Sequence, residues 1–263
     1  MSRIIIAERN YTEKPDTNLF KMHAHDGYEI YCFLSGKAKY FVEGTLYSLR
    51  AGDIFMMKKA ESHTLLLLKN QPYERIAIHF SADAIVGNMR ERLLSCMNSR
   101  PLGQNNRFPA SVFKDKNWFY YLNTICDEPD EEKKKLYLTV LVSELCDSLG
   151  ENHSDNEAKD NISDIIGYIN SHLSDDLNLD SICAVFHTSR SHTNRKFRKM
   201  TGSSMWEYIK RKRLLLAKEL LSQGESPYRV YEKCGFNEYS SFYRAYKAEF
   251  GISPKKDHIK QEK

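Results

Sequence analysis

The stretch from Cys234 to Pro254, CGFNEYSSFYRAYKAEFGISP, constrains this chain most. Phe242, Tyr246 and Phe250 recur at i, i+4 and i+8, so they share one side of a helix. Gly235 opens the stretch with a tight turn, and Gly251 closes the helix. Tyr239, Ser240, Tyr243, Arg244 and Lys247 fall on its other sides. Such a helix packs by one stripe and offers polar and cationic groups to something else, and those groups suit DNA.

The charge balance agrees. Residues 161–263 carry 18 Lys and Arg against 12 Asp and Glu, whereas residues 1–160 carry 21 against 23. A basic C-terminal third on a slightly acidic body suggests a polyanion-binding module joined to a body with another task. At 263 residues the chain is long enough for two cores. No apolar run reaches membrane-helix length, and Ile4 to Ala7 is too short for a signal peptide. Cys32, Cys96, Cys126, Cys146, Cys183 and Cys234 form no CxxC pair. Reduced thiols in a cytoplasmic protein are expected, not a disulfide scaffold or a zinc site.

Residues 1 to about 80 read as strands. Tyr28–Phe33, Ala38–Val42, Thr45–Leu49, Ile54–Met57, Thr64–Leu68 and Arg75–Phe80 are short and rich in aromatic and β-branched residues. Ser35-Gly36, Glu43-Gly44, Ala51-Gly52-Asp53 and Gln71-Pro72 punctuate them, which points to a sandwich or barrel. Helices are expected over 84–97, 114–126 and 130–149, with a loop over 100–109. The third carries a stripe of Leu138, Leu141, Val142, Leu145 and Leu149. These helices can complete the core of the barrel or pair with a second subunit. Residues 151–161 are too polar to bury and read as a linker. The C-terminal domain, 162–263, reads as all helix, and Ser226-Pro227 as a capped helix start. Within it a short helix, a tight turn and a cationic helix occur twice. The cationic helices start at Ser189 and near Glu238, giving a tandem helix-turn-helix.

In the strand region, His23-x-His25-x3-Glu29-x6-Gly36 is followed by Leu49-x-Ala51-Gly52-Asp53 and His63. This resembles the two motifs of the cupin superfamily of small β-barrels. In cupin enzymes the matching residues hold a metal, which would here be His23, His25, Glu29 and His63. Lys59-Ala60-Glu61-Ser62 replaces the usual proline-glycine pair before the last histidine, so a metal-free pocket with no cofactor is expected. The same histidines can also simply bond one another at a barrel mouth.

Gly235-Phe236-x3-Ser240-x-Phe242-x-Arg244-x-Tyr246-Lys247-x3-Gly251-x-Ser253-Pro254 resembles the signature of AraC/XylS-type transcription regulators. Ser189-x3-Thr193-x-Arg195-x-Phe197-x3-Thr201-Gly202 and Arg213-x3-Ala217-x2-Leu220-Leu221 fit the same family. Thr193, Tyr231 and Asp257-His258 depart from its usual leucine, alanine and aromatic-arginine. The resemblance implies an α+β chain of two domains. Residues 1–150 would be a cupin-like sensor with a helical connector, and 162–263 an all-α module placing two helices in successive major grooves.

In the first reading helix Ser191, Asn194 and Arg195 are expected on bases, and in the second Tyr239, Ser240 and Arg244. Arg190, Lys199, Tyr243 and Lys247 are expected on phosphates. The resemblance further implies a homodimer, double-stranded promoter DNA and RNA polymerase as partners, and a small-molecule effector, with a carbohydrate as the commonest class. His23, His25, Tyr28, Glu29, Tyr31, Tyr40 and His63 are the candidates to bind it. No catalytic residues are expected. The alternative is a metal-dependent cupin enzyme fused to a DNA-binding domain.

Overall fold

The computed structural model describes residues 4–15, 21–67, 71–113, 117–149 and 161–261, with residues 259–261 described by their backbone alone. The chain divides into two compact units, 1–159 and 160–263. The expected linker lies outside the described residues apart from Asn161, which begins a helix.

In the first unit the strands are β1 (Ile5–Thr12), β2 (Tyr28–Ser35), β3 (Ala38–Val42), β4 (Thr45–Ser48), β5 (Ile54–Met57), β6 (His63–Leu67), β7 (Tyr73–Phe80) and β8 (Arg107–Phe108). They form a five-stranded sheet, β1-β7-β2-β5-β8, and a three-stranded sheet, β4-β3-β6. Every pairing is antiparallel. The helices are α1 (Met89–Asn98), α2 (Trp118–Asp127) and α3 (Glu131–Asp147).

β2 shows how the layers arise. Successive side chains of a strand point to opposite faces. Tyr28, Ile30 and Cys32 point one way, joining Ile54, Met56, Ile76, Ile78 and Phe80 against Leu93, Leu122, Leu138, Leu141 and Leu145 of the helices. Tyr31 and Phe33 point the other way, with Phe55 and Met57, and meet Tyr40, Val42, Tyr47 and Leu65 of the smaller sheet. A central strand covered on both faces needs apolar residues at both parities. The helices therefore complete a second core on the outer face of the large sheet. Asp130 starts α3 by accepting from the amides of Glu132 and Lys133.

Four sequence expectations shift. The helix expected from residue 84 begins at Met89, because Gly87 adopts a left-handed conformation (φ 65°) and separates it from the 3-10 turn Ala82–Ala84. The second begins at Trp118, and residues 114–116 are outside the described set. β1 was not anticipated: only Ile5 of its residues is buried, so its polar face hides a strand paired with β7 along its whole length. The expected loop 100–109 contains β8, which Arg107 anchors to Asp53 at 3.0 Å.

The second unit contains α4 (Asn161–Ser171), α5 (Leu179–Val185), α6 (Arg190–Thr201), α7 (Met205–Ser222), α8 (Pro227–Lys233), α9 (Tyr239–Phe250) and α10 (Pro254–Gln261). The boundaries are written in local chemistry. Asn178 and Ser204 form capping boxes at α5 and α7. Ser189 caps α6, and Gly202 and Gly251 end α6 and α9 in the left-handed conformation. Ser226 precedes Pro227 as expected, but its hydroxyl makes no cap; only its carbonyl accepts, from Arg229 and Val230.

Two helix-turn-helix pairs, α5-α6 and α8-α9, are joined by α7. Phe197 of α6 meets Tyr208 of α7. Phe242 and Tyr246 of α9 are fully buried with Leu214, Ala217, Leu221 and Val230, and Phe250 packs on the edge of this core. Arg213 of α7 ties the halves together. It donates to the carbonyls of Leu173 (3.0 Å) and Asp175 (2.7 Å), and lies under the Gly235 turn.

Candidate functional site

Two candidate sites emerge, one in each unit. In the first, residues 21–25 run beside β6 through a single bridge, His23 to His63, with backbone bonds of 3.0 and 2.8 Å. This brings His23 and His25 beside Glu29 of β2 and His63 of β6. One donor atom from each of these four residues lies within 4.8 Å of the others. The Glu29 carboxylate is 2.8 Å from His63 Nε2 and 3.2 Å from His25 Nε2. His79, opposite Glu29 in the β2-β7 register, adds its ring 4.5 Å from that of His25. His79 was not anticipated, although the parity of Arg75, Ala77 and His79 along β7 places all three on the inner face.

Tyr31 and Tyr40 stack on each other at 4.7 Å, and Tyr40 approaches His63 at 5.7 Å. Tyr28 is a correction. Its parity is opposite to that of Glu29, so its ring stacks on Phe80 in the outer core and its hydroxyl bonds Asn98 of α1. It takes no part in the pocket.

Electrostatics within the cluster follow from burial and closeness. Burial, with His63 adjacent, pushes the His23 imidazole down to about 3, so it is neutral. Burial would raise Glu29, but His63 and then His25 hold its carboxyl well below the usual range. Burial would lower His63, yet Glu29 outweighs this and raises it. Burial lowers His79 and raises the hydroxyls of Tyr31 and Tyr40, which stay neutral donors.

Several buried polar atoms here lack a well-oriented hydrogen bond: His25 Nε2, Glu29 Oε2, His63 Nε2, Tyr31 Oη and Arg75 Nε. His25 Nε2, Glu29 Oε2 and His63 Nε2 pair with one another at 2.8 and 3.2 Å, so the unmet need is at Tyr31 Oη and Arg75 Nε, which a bound polar group would satisfy. The donor set of three imidazoles and one carboxylate fits a divalent transition-metal ion. The turn before His63 closes with Ala60 in the left-handed conformation (φ 59°), so losing the glycine there does not displace His63 from the cluster.

The second site lies on α6 and α9. Arg190, Ser191, Arg195 and Lys199 of α6 are exposed, as are Ser240, Arg244 and Lys247 of α9. Arg190 pairs with Asp180 at 3.2 Å. Tyr239 and Tyr243 are half-buried, and Tyr239 stacks on Tyr228 of α8 at 4.8 Å. Asn194 is half-buried, and its Oδ1 accepts from the Met205 amide at 3.4 Å, so it also ties α6 to α7. Arg244 faces a groove between the two half-modules whose lining includes Trp206, Lys210 and Arg213. Lys210 was not anticipated, since nothing in the sequence shows that α7 turns it towards α9. Trp206 is half exposed at this groove.

The family departures have local partners. Thr193 is buried with its hydroxyl unsatisfied. Tyr231 lays its ring edge-on to Tyr239 and donates to Glu232. Asp257 accepts from the Tyr246 hydroxyl at 2.6 Å.

Comparison with known proteins matches this division. Residues 6–121 match the model of an AraC-like ligand binding domain, and residues 182–257 that of a helix-turn-helix domain. The chain is 21% identical over 249 residues to the HTH-type transcriptional activator RhaS of Escherichia coli, covering 90% of this chain and 86% of that protein. It is 28% identical over 241 residues to the Msm operon regulatory protein of Streptococcus mutans, covering 88% and 84%. Solved structures with looser likeness include ToxT from Vibrio cholerae, with 16% identity, a TM-score of 0.39 and 98% of each chain covered. The DNA-binding domain of AdpA in complex with a target DNA has 25% identity and a TM-score of 0.37, covering 38% of this chain and 91% of that one. With a ligand-binding unit of two sheets followed by two helix-turn-helix elements, the chain belongs to the AraC-type family of DNA-binding transcription regulators.

Proposed function

We propose that this regulator reads promoter DNA with α6 and α9 and is controlled by a polar small molecule bound between the two sheets of the first unit. The observation carrying the DNA half is the repeated design of the second unit. Each reading helix buries one stripe, Phe197 or Phe242 and Tyr246, and exposes polar and cationic residues. Ser191, Arg195, Ser240 and Arg244 are proposed to contact bases, with Tyr239 and Asn194 contributing from half-buried positions. Arginine can bond guanine O6 and N7 together. Arg190, Lys199, Tyr243 and Lys247 are proposed to hold phosphates, with Lys210 added from the groove.

For the effector, the supporting observation is the set of orphaned polar atoms on β2 and β7, including Tyr31 Oη and Arg75 Nε beside the stacked Tyr31-Tyr40 pair. Hydroxyl-rich ligands satisfy such groups and stack on aromatic faces, so a carbohydrate is the class proposed. His23, His25, Glu29, Tyr31, Tyr40 and His63 are retained for it, with Arg75 and His79 added. A cytoplasmic homodimer acting with RNA polymerase completes the reading, with no catalytic step. Among the described residues no helix is long and apolar enough to cross a membrane. The effector half is tested by thermal-shift screening of the full-length protein against sugars and sugar acids. A ligand that raises Tm for the wild type but not for Arg75→Ala supports it. No shift across the panel contradicts the carbohydrate assignment.

A further inference from the structure

Charge inside the first unit is matched everywhere but at Arg75. Among the described residues, its buried carboxylates are all engaged. Glu29 is held by His63 and His25, Glu61 by Arg100 and Asp53 by Arg107, and Glu43 accepts from the Ser62 amide. Arg75 is half-buried, its Nε is buried without an acceptor, and no carboxylate among the described residues pairs with it. It stands opposite Phe33 of β2 and Asn10 of β1, so it lies on the inner face of the large sheet in one row with Tyr73, Ala77 and His79. Glu8, the acid diagonal to it on β1, is exposed and accepts from Asn10 instead. The charge of Arg75 is felt by Tyr31, Tyr40 and Tyr73, whose hydroxyls it draws down against burial. A partly buried cation without a counter-charge is costly, and an unpaired one beside an orphaned hydroxyl on the same face calls for an anion.

We propose that the effector is an acid, a carboxylate-bearing sugar such as a hexuronate or an aldonate, and that Arg75 and the Tyr31 hydroxyl hold its carboxylate. A guanidinium offers paired donors that match the two oxygens of a carboxylate and neutralises its charge. A neutral sugar would satisfy Nε but leave the positive charge uncompensated. Burial keeps the Tyr31 hydroxyl protonated, so it can only gain by donating to an anion. The other end of the row suits the rest of the ligand. Burial lowers His79, and its neutral imidazole both donates and accepts, as a sugar hydroxyl requires. Between the two basic residues stands Ala77, the one small residue of the row, opposite Tyr31. The ligand therefore lies along β7 with its acid end at Arg75 and its hydroxyls towards His79.

This inference deepens the reading of the first unit as a carbohydrate sensor and rests on it, and the experiment separates the two. Full-length protein is titrated calorimetrically with matched pairs, glucose against glucuronate and gluconate, and galactose against galacturonate and galactonate. Benzoate and hexanoate are added as acids without hydroxyls. The expected result is a sugar acid that binds at least tenfold more tightly than its neutral partner. Arg75→Gln, checked for folding by circular dichroism, should lose that preference, and Arg75→Lys, which keeps the charge without the paired donors, should retain part of it. Tyr31→Phe should weaken the acid more than the neutral sugar. A neutral sugar bound as tightly as its acid, or a preference for the acid unchanged in folded Arg75→Gln, overturns the anion assignment and leaves the carbohydrate reading standing. Binding of benzoate or hexanoate through Arg75, with no sugar acid bound, keeps the pairing of Arg75 with a carboxylate and contradicts the carbohydrate reading. Binding of none of these compounds overturns both.

Discussion

Gly235 tests how the two half-modules are welded. It has φ +76°, a left-handed conformation that costs a non-glycine residue about 1–2 kcal/mol. Space is the second constraint. A Cβ there would lie 2.6 Å from the Leu173 carbonyl oxygen and 2.8 Å from the Arg213 guanidinium. Neither neighbour yields easily, because Leu173 is backbone and Arg213 is bonded to the Leu173 and Asp175 carbonyls. A hydrogen bond from a charged donor is worth about 1.5–3 kcal/mol, so losing one of Arg213's brings the total for Gly235→Ala to about 2.5–5 kcal/mol. Gly251 is the control. Its φ is +69°, but nothing lies within 4 Å of an added Cβ, so Gly251→Ala should cost only the conformational part, about 1–2 kcal/mol. Both variants are compared by urea unfolding followed by circular dichroism, with hydrogen exchange assigning the transition to residues 160–263. Equal destabilisation by the two substitutions would refute the argument, since the difference between them is the contact with Arg213 and Leu173.

Thr193→Val keeps the shape of a buried residue whose hydroxyl has no partner, so it should stabilise the second unit by about 1 kcal/mol, read as a higher urea midpoint. Tyr246→Phe removes the donor to Asp257, which is itself buried, and should cost about 1.5–3 kcal/mol in the same assay. Operator affinity should fall steeply with salt, the log–log slope becoming shallower by about 1 when Lys199 or Lys247 is replaced by Ala. A slope unchanged by either substitution would place those lysines off the phosphates.

Much of this architecture can be read directly from residue spacing, for reasons particular to each element. α9 is legible because Phe242, Tyr246 and Phe250 keep helical spacing between Gly235 and Gly251, both of which hold positive φ. β2 and β5 are legible as strands because burial on both faces demands continuous apolar residues. β1 is not, since one face of it meets solvent and its pairing to β7 is a long-range fact. The same limit applies at the pocket. Residues 23, 25, 29 and 63 stand out by motif, but His79 and Arg75 enter only through the register of β7 against β2. Tyr28 is near the motif in sequence and on the wrong face in space. Asp257 follows the rule from the other side: an unusual residue for its position is explained by the Tyr246 hydroxyl eleven residues earlier.

The most direct measurement for the DNA-reading proposal is selection of bound sites from random double-stranded DNA by the full-length protein, repeated with Arg195→Ala and Arg244→Ala. The reading predicts two short conserved blocks about one helical turn, or about 34 Å, apart on one face of the duplex. Arg195→Ala should blur one block and Arg244→Ala the other, each costing about 1–3 kcal/mol at the selected site. Recovery of no common sequence, or of one block unaffected by either substitution, would contradict reading by α6 and α9 in adjacent grooves.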